Sequence, residues 1–260
     1  MILSNFFFIR RELDNMKVGD TNINNQGLKM EIIAYRKYKD IDVRFEDGTI
    51  VKNEYCANFK KGLIKNRFYP HVYGVGFLGN IKGNDKNGKP FKSYKVWEGM
   101  LRRCYYDKYL EKNPTYKECS VCEEWHCYEN FKKWFDENYY EIDGEIMNLD
   151  KDILIKGNKI YSPSTCIFVP RRINSLFVKC DALRGDLPIG VCKNGNKFVA
   201  KCEINGKKRY LGRFDTPIEA FQCYKQFKEQ YIKQVAEEYK DKIPSELYDA
   251  LYRWEVDIND

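Results

Sequence analysis

Two Asn-Gly steps, Asn194-Gly195 and Asn205-Gly206, separate three short runs at 189–193, 197–204 and 207–214. Asn-Gly is the favoured pair for a two-residue β-hairpin, because both central positions need positive φ. The runs therefore read as a three-stranded antiparallel sheet. Thr216 follows, three residues before Glu219, which is the spacing of a helix capping box. Ala220, Cys223, Tyr224, Phe227 and Tyr231 then recur at helical spacing. Residues 187–240 are expected to form this sheet packed on one long helix, with a shorter helix starting at Ser245 and running toward Trp254.

The sheet is cationic. Between 187 and 213 stand Lys193, Lys197, Lys201, Lys207, Lys208, Arg209 and Arg213, against Glu203 alone. Strand alternation groups Lys197, Val199, Lys201 and Glu203 on one face and Phe198, Ala200 and Cys202 on the other. Such a face is either solvated or suited to a major groove, where each cation near a phosphate gains by counterion release. The formal net charge of +7 points the same way.

With 43% hydrophobic and 32% charged residues the chain is no disordered polymer, and its 260 residues suggest several small domains. The longest apolar stretch, Phe6-Phe7-Phe8-Ile9, precedes Arg10-Arg11 and is too short for a membrane span or a signal peptide. Residues 1–16 are expected to be a leader, and the location cytoplasmic. Ten cysteines are too dilute for a disulfide scaffold. Strands at 28–35, 40–45 and 49–52, with the turn signal Asp47-Gly48 and further short pieces at 58–62 and 72–76, predict a small β barrel over 17–80. Its cations, interleaved with aromatic side chains, suit either an auxiliary DNA-binding module or a lysine-protected surface. Residues 80–92 read as a linker or a hairpin tip. In 93–180, helical patterns around Trp97, Met100, Leu101 and Cys104 and around Phe131 and Trp134 precede strand, turn, strand and helix, with Pro170 opening the last. Residues 241–260 are acidic and expected to be a solvated helical cap.

The segments Gly190-Val191-Cys192, Lys197-Phe198-Val199-Ala200-Lys201, Asn205-Gly206-Lys207-Lys208, Tyr210-Leu211-Gly212-Arg213-Phe214-Asp215-Thr216 and Glu219-Ala220 resemble the plant ethylene-response-factor (apetala-two type) DNA-binding domain, a module also carried by phage and mobile-element nucleases. That family reads DNA through its sheet. The resemblance implies contacts from Cys192, Lys193, Lys197, Lys201, Glu203, Lys208 and Tyr210. Two arginines of the plant motif fall on Ile189 and Cys192, which favours phosphate contact over guanine reading.

The segments Leu149-Asp150-Lys151-Asp152-Ile153, Gly157-Asn158-Lys159-Ile160-Tyr161-Ser162-Pro163-Ser164-Thr165-Cys166-Ile167-Phe168-Val169-Pro170 and Arg171-Arg172-Ile173-Asn174 resemble phage and intron-encoded HNH endonucleases. That resemblance implies a ββα-metal domain around one divalent cation, Mg2+ or Mn2+, with Asp150 and Asn174 as ligands. Lys151 takes the position of the general-base histidine, and Thr165 that of the asparagine which orients it. Lysine is ordinarily a cation at neutral pH, so Lys151 is expected to stabilise charge or hold a phosphate. Asp152 is a spare carboxylate, ligand or base, placed by strand alternation on the side of Asp150. The catalytic set is thus Asp150, Lys151, Asp152 and Asn174, and Arg171 and Arg172 join the DNA-binding set.

Cys119-Ser120-Val121-Cys122, with Cys104, His126 and Cys127, has the first half of a zinc pattern and lacks a second Cys pair. Buried free thiols are expected there, and no structural zinc. The fold expected is α+β and multidomain: a small β barrel, an HNH-like ββα domain, and a three-stranded sheet on one helix. The function expected is that of a phage or homing-type DNA endonuclease acting on double-stranded DNA, monomeric, with no membrane or small-molecule partner. The alternatives are a non-catalytic DNA-binding or regulatory protein on the same scaffold and, more remotely, a zinc-bearing interaction protein.

Overall fold

A computed structural model describes residues 16–177, 186–204 and 206–260. The leader expected over 1–16 lies outside them save for Met16, as does Asn205 of the second turn. Helix and strand make up 34% and 26%, a mixed architecture with several separate sheets. Among the described residues no helix is long and apolar enough to cross a membrane. The chain divides into two compact units. One holds the residues up to Lys117 with Glu123–Lys133, the other Glu118–Cys122 with Trp134–Asp260.

The first unit opens with β1 (Thr21–Ile23), β2 (Lys29–Lys37), β3 (Asp40–Phe45) and β4 (Ile50–Glu54), an antiparallel sheet in chain order. Its alternation buries Met30, Ile32, Ile41, Val43 and Phe45 on one side. Asp47-Gly48 turns the chain as expected: Gly48 N–H donates to Phe45 O (3.0 Å) and Gly48 has φ +86°. The sheet does not close into the expected barrel. Closure requires the edge strands to pair, but β1 spans three residues and pairs only with β2, and β4 only with β3. A short helix, α1 (Cys56–Lys60), closes the core instead through Cys56 and Phe59, joined by Ile64. Buried Asn24 ties the covering segment down, donating to Ile64 O (2.9 Å) and accepting from Leu28 N–H (2.9 Å).

In the same unit α2 (Lys92–Tyr105) turns Trp97, Met100, Leu101 and Cys104 inward, at the spacing read from the sequence, and α3 (Asp107–Lys112) follows it. Trp97 Nε1 donates to Trp125 O (2.7 Å), and Ser93 Oγ meets Tyr128 OH (2.7 Å) at the start of α4 (Tyr128–Asn138).

In the second unit, β5 (Ser120–Val121) pairs in parallel with β7 (Ile160–Tyr161). β6 (Met147–Asp150) pairs antiparallel with β8 (Ile167–Pro170), with Asp150 opposite Ile167. Pro170 then starts α5 (Arg171–Asn174), which tightens into a 3-10 turn at Ser175–Phe177. The second sheet has the order β11 (Lys207–Phe214), β10 (Lys197–Ile204), β9 (Val191–Asn194). The long helix α6 (Pro217–Tyr239) starts at the predicted capping box, with Thr216 and Glu219 bonding each other's backbone.

Helix α6 serves two cores. Ala220, Phe221 and Tyr224 pack with Val191, Ala200 and Cys202 of the sheet. Tyr231, Ile232, Val235, Ala236 and Tyr239 pack with Ile153, Ile167, Val169, Ile173 and Leu176 of the ββα element. The acidic end is no solvated cap. In α7 (Ser245–Tyr252) Leu247 and Leu251 are fully buried in that second core, and Lys156 Nζ bonds Asp260 Oδ2 (2.7 Å) and Glu255 O (2.9 Å). Apolar side chains on the inner face of this segment outweigh its exposed carboxylates.

Candidate functional site

The sheet presents an open face whose composition is set by two local irregularities. The first turn is displaced by one residue. Asn194 pairs with Lys197, so Gly195 and Asn196 form the loop, and Gly195 takes positive φ (+60°) at its first position, as a type II′ turn requires. The second irregularity is a bulge at Leu211. Ala200 pairs with Gly212 and Lys201 with Tyr210, leaving Leu211 without an opposite residue.

Residues paired across an antiparallel sheet share a face. The face turned away from the helix therefore carries Cys192, Val199 and Arg213 in one row, where Val199 is buried, then Lys201 with Tyr210 in the next, and Glu203 with Lys208 near the hairpin tip. Lys197 pairs with Asn194 at the other end, and its ammonium bonds the Asp215 carboxylate. Lys201, Glu203, Lys208 and Tyr210 are exposed, Tyr210 to 61%. Lys193 does not join them: it pairs with Phe198, which packs toward the helix. Arg209, paired with buried Cys202, also lies on the helix side, its guanidinium 5.1 Å from the Phe227 ring centroid. The face thus brings together all the predicted sheet contacts except Lys193, and adds Arg213.

In the ββα element the strand expected to run through Ile153 stops at Asp150. Asp150 Oδ1 accepts the N–H groups of Asp152 (2.9 Å) and Ile153 (2.8 Å), which pulls the chain out of extended geometry. Asp152 comes close to Asp150 through this turn, not through strand alternation. Burial and the neighbouring Asp152 charge push the Asp150 carboxyl up to about 6, against the pull of the two backbone N–H groups.

Lys151 is buried, at 8% exposure. Its Nζ bonds Asp152 Oδ2 (3.3 Å) and Asn158 O (3.2 Å) and lies 5.8 Å from the Tyr161 ring centroid. Asn158 in turn donates to Lys151 O (2.6 Å) and Ile160 O (2.7 Å). Asn158 and Tyr161 were not singled out by sequence reasoning, although the turn signal at Gly157-Asn158 marks the first of them. Thr165 Oγ1 donates to Ile160 O (2.8 Å) and meets Ser162 Oγ (2.9 Å); it shapes the loop and makes no bond to Lys151. Both histidines of the chain, His71 and His126, belong to the other unit.

Asn174 is half-buried in the last turn of α5. Arg171 is exposed, whereas Arg172 is half-buried and bonds Glu238 on α6 (2.7 Å). Asp150, Asp152 and Asn174 supply only oxygen donors, which suits a hard cation such as Mg2+ that keeps several water or phosphate ligands. Among the described residues no group of three or more His, Cys, Asp or Glu side chains is placed to hold a metal ion. Cys104, Cys119 and Cys127 are buried and Cys122 is half-buried. Burial also pushes the Cys166 thiol up to about 12. No protein-family model, no curated protein and no solved structure matches the chain.

Proposed function

We propose that the chain is a DNA-binding endonuclease of HNH type. It grips duplex DNA on the open face of the β9–β11 sheet and presents a phosphodiester to the ββα element. The observation that carries this reading is the convergence of Lys201, Lys208, Tyr210 and Arg213 on one exposed face of the unit that also holds Asp150 and Asn174. Cations on a sheet face gain by displacing condensed counterions, and exposed Tyr210 offers an apolar contact among them.

In this mechanism Asp150 and Asn174 hold a divalent cation, which when bound supplies charge stabilisation to the phosphate and leaving oxygen. Asp152, whose side chain is 49% exposed, orients the attacking water. Lys151, held between Asp152, Asn158 and Tyr161, offsets the local negative charge. Asn158 keeps that lysine's backbone in place.

A second reading has its own support. The place of a proton-accepting imidazole is taken by an ammonium engaged with Asp152, so the same scaffold serves a DNA-binding protein without hydrolysis. Plasmid nicking with Mg2+ or Mn2+ separates the two. Nicking by the wild type that disappears in Asp150→Ala supports the endonuclease; duplex binding without nicking leaves the binder. Duplex affinity that is unchanged in a Lys197/Lys201/Lys208 triple-alanine variant rules out the sheet face in either case.

A further inference from the structure

A cavity of about 390 Å³ lies beneath the sheet's hairpin tip, lined among others by Arg172, Arg209, Phe227, Tyr231, Gln234 and Glu238. Its two guanidinium groups come from different elements. Arg172 belongs to α5, two residues before Asn174. Arg209 belongs to β11 and faces away from Lys208 and Tyr210. The carboxylate is already engaged: Glu238 Oε2 takes Arg172 (2.7 Å) and Oε1 takes Gln234 Nε2 (3.2 Å). Arg209 lies against Phe227 and pairs with no carboxylate among the described residues. A guanidinium laid on an aromatic ring keeps its N–H edge free and suits bidentate recognition of phosphate.

We infer that this cavity binds a backbone phosphate of DNA, held by Arg209 together with Arg172. This rests on the duplex reading above and deepens it. The cavity lies on the side of the sheet opposite Lys208 and Tyr210, so the phosphate it takes belongs to a stretch of DNA that passes the hairpin tip, and binding it ties the DNA gripped by the sheet to the helix that carries Asn174. The cut then falls at a set distance from the bound site. The same oxygen chemistry could come from free phosphate, so the test has an arm for each source.

The full chain is titrated into a fluorescent duplex over a range of salt concentrations. For Arg209→Ala the salt slope is expected to fall by about 1 and the affinity about eightfold near 0.1 M salt, as loss of one phosphate contact requires. Glu238→Gln removes the carboxylate that competes with an incoming anion, so it is expected to bind the duplex more tightly; weaker or equal binding counts against the cavity. Unchanged affinity and slope in Arg209→Ala, while the Lys197/Lys201/Lys208 variant still loses binding, overturns the cavity and leaves the sheet face standing. If the triple variant also binds normally, the sheet reading itself fails. In the second arm, inorganic phosphate is added without DNA. A thermal stabilisation seen in the wild type and lost in Arg209→Ala, with duplex binding unaltered, makes this a free-phosphate site and overturns the DNA assignment.

Discussion

Single residues decide which side chains reach the face of the β9–β11 sheet that the proposal assigns to DNA. The extra residue at Leu211 shifts the alternation of β11, so that Tyr210 and Lys208 face outward with Arg213 and Arg209 faces inward. Strict alternation would have put Arg209 and Arg213 together, and no rule of composition signals the bulge. Gly190, just before β9, is a second such point. Its φ is +78°, and a Cβ there would lie 2.1 Å from Tyr224 Cδ2. Gly190→Ala therefore adds backbone strain to a clash in the sheet core, and is expected to cost more than about 1 kcal/mol in urea unfolding. An unchanged midpoint would show that Tyr224 has room to move. Lys151 permits a test of the proposed cation. Lys151→Met leaves Asp152 and the Asn158 carbonyl without their ammonium partner and should destabilise the unit by roughly 1–3 kcal/mol, the cost of an uncompensated polar group. Mg2+ should then raise the Tm of Lys151→Met more than that of the wild type. An equal rise in both proteins argues against a cation at Asp150.

At the scale of elements, the fold follows those sequence signals that act within a few residues. The capping box at Thr216 and Glu219, the Asp47-Gly48 turn, β10, β11 and the helix after Pro170 all lie where the sequence puts them. The first hairpin loop moved by one residue because Gly195 alone can take the positive φ that a II′ turn needs first. Helix α1 was missed because five residues are too few to establish a period. The barrel failed for a non-local reason, the pairing of edge strands. Thr216→Ala should cost about 1 kcal/mol, as loss of a helix N-cap does, seen as a lower urea midpoint for the sheet and helix. In the first sheet, Arg36 donates to Asp42 Oδ1 (2.5 Å) and Asp40 Oδ1 (2.8 Å). These bonds hold both carboxyls below their ordinary range. With folded pKa values below the unfolded ones, the stabilisation is present above about pH 4 and lost as pH falls through the folded values. The Tm difference between the wild type and Arg36→Met should therefore shrink on acidification. A difference that stays constant down to pH 2 or so, below the ordinary carboxyl range, would mean that the aliphatic stem of Arg36 supplies it.

On the scale of the molecule, the second unit joins its two proposed tasks through one helix. The first half of α6 backs the β9–β11 sheet and the second half backs the ββα element, and α7 completes the second core. The apolar period of α6 was legible up to Tyr231. Its second partner was not, because those contacts span most of the unit's length and the closing segment looks acidic and solvated by composition. Leu247 is fully buried in that core, and truncation to alanine should cost about 2–5 kcal/mol. The informative measurement is hydrogen exchange, read separately at amides of β6, β8 and β10. If α6 couples the two cores, Leu247→Ala lowers protection in all three strands by the same free energy, although no residue of β10 belongs to the cluster that holds Leu247 save the partly buried Ile204 at its end. Loss confined to β6 and β8 would show that the sheet folds independently of the ββα element. A linker-like α6 could not then set the proposed distance from bound DNA to the cut, and the proposed phosphate cavity at Arg172 and Arg209 would be left to carry that register alone.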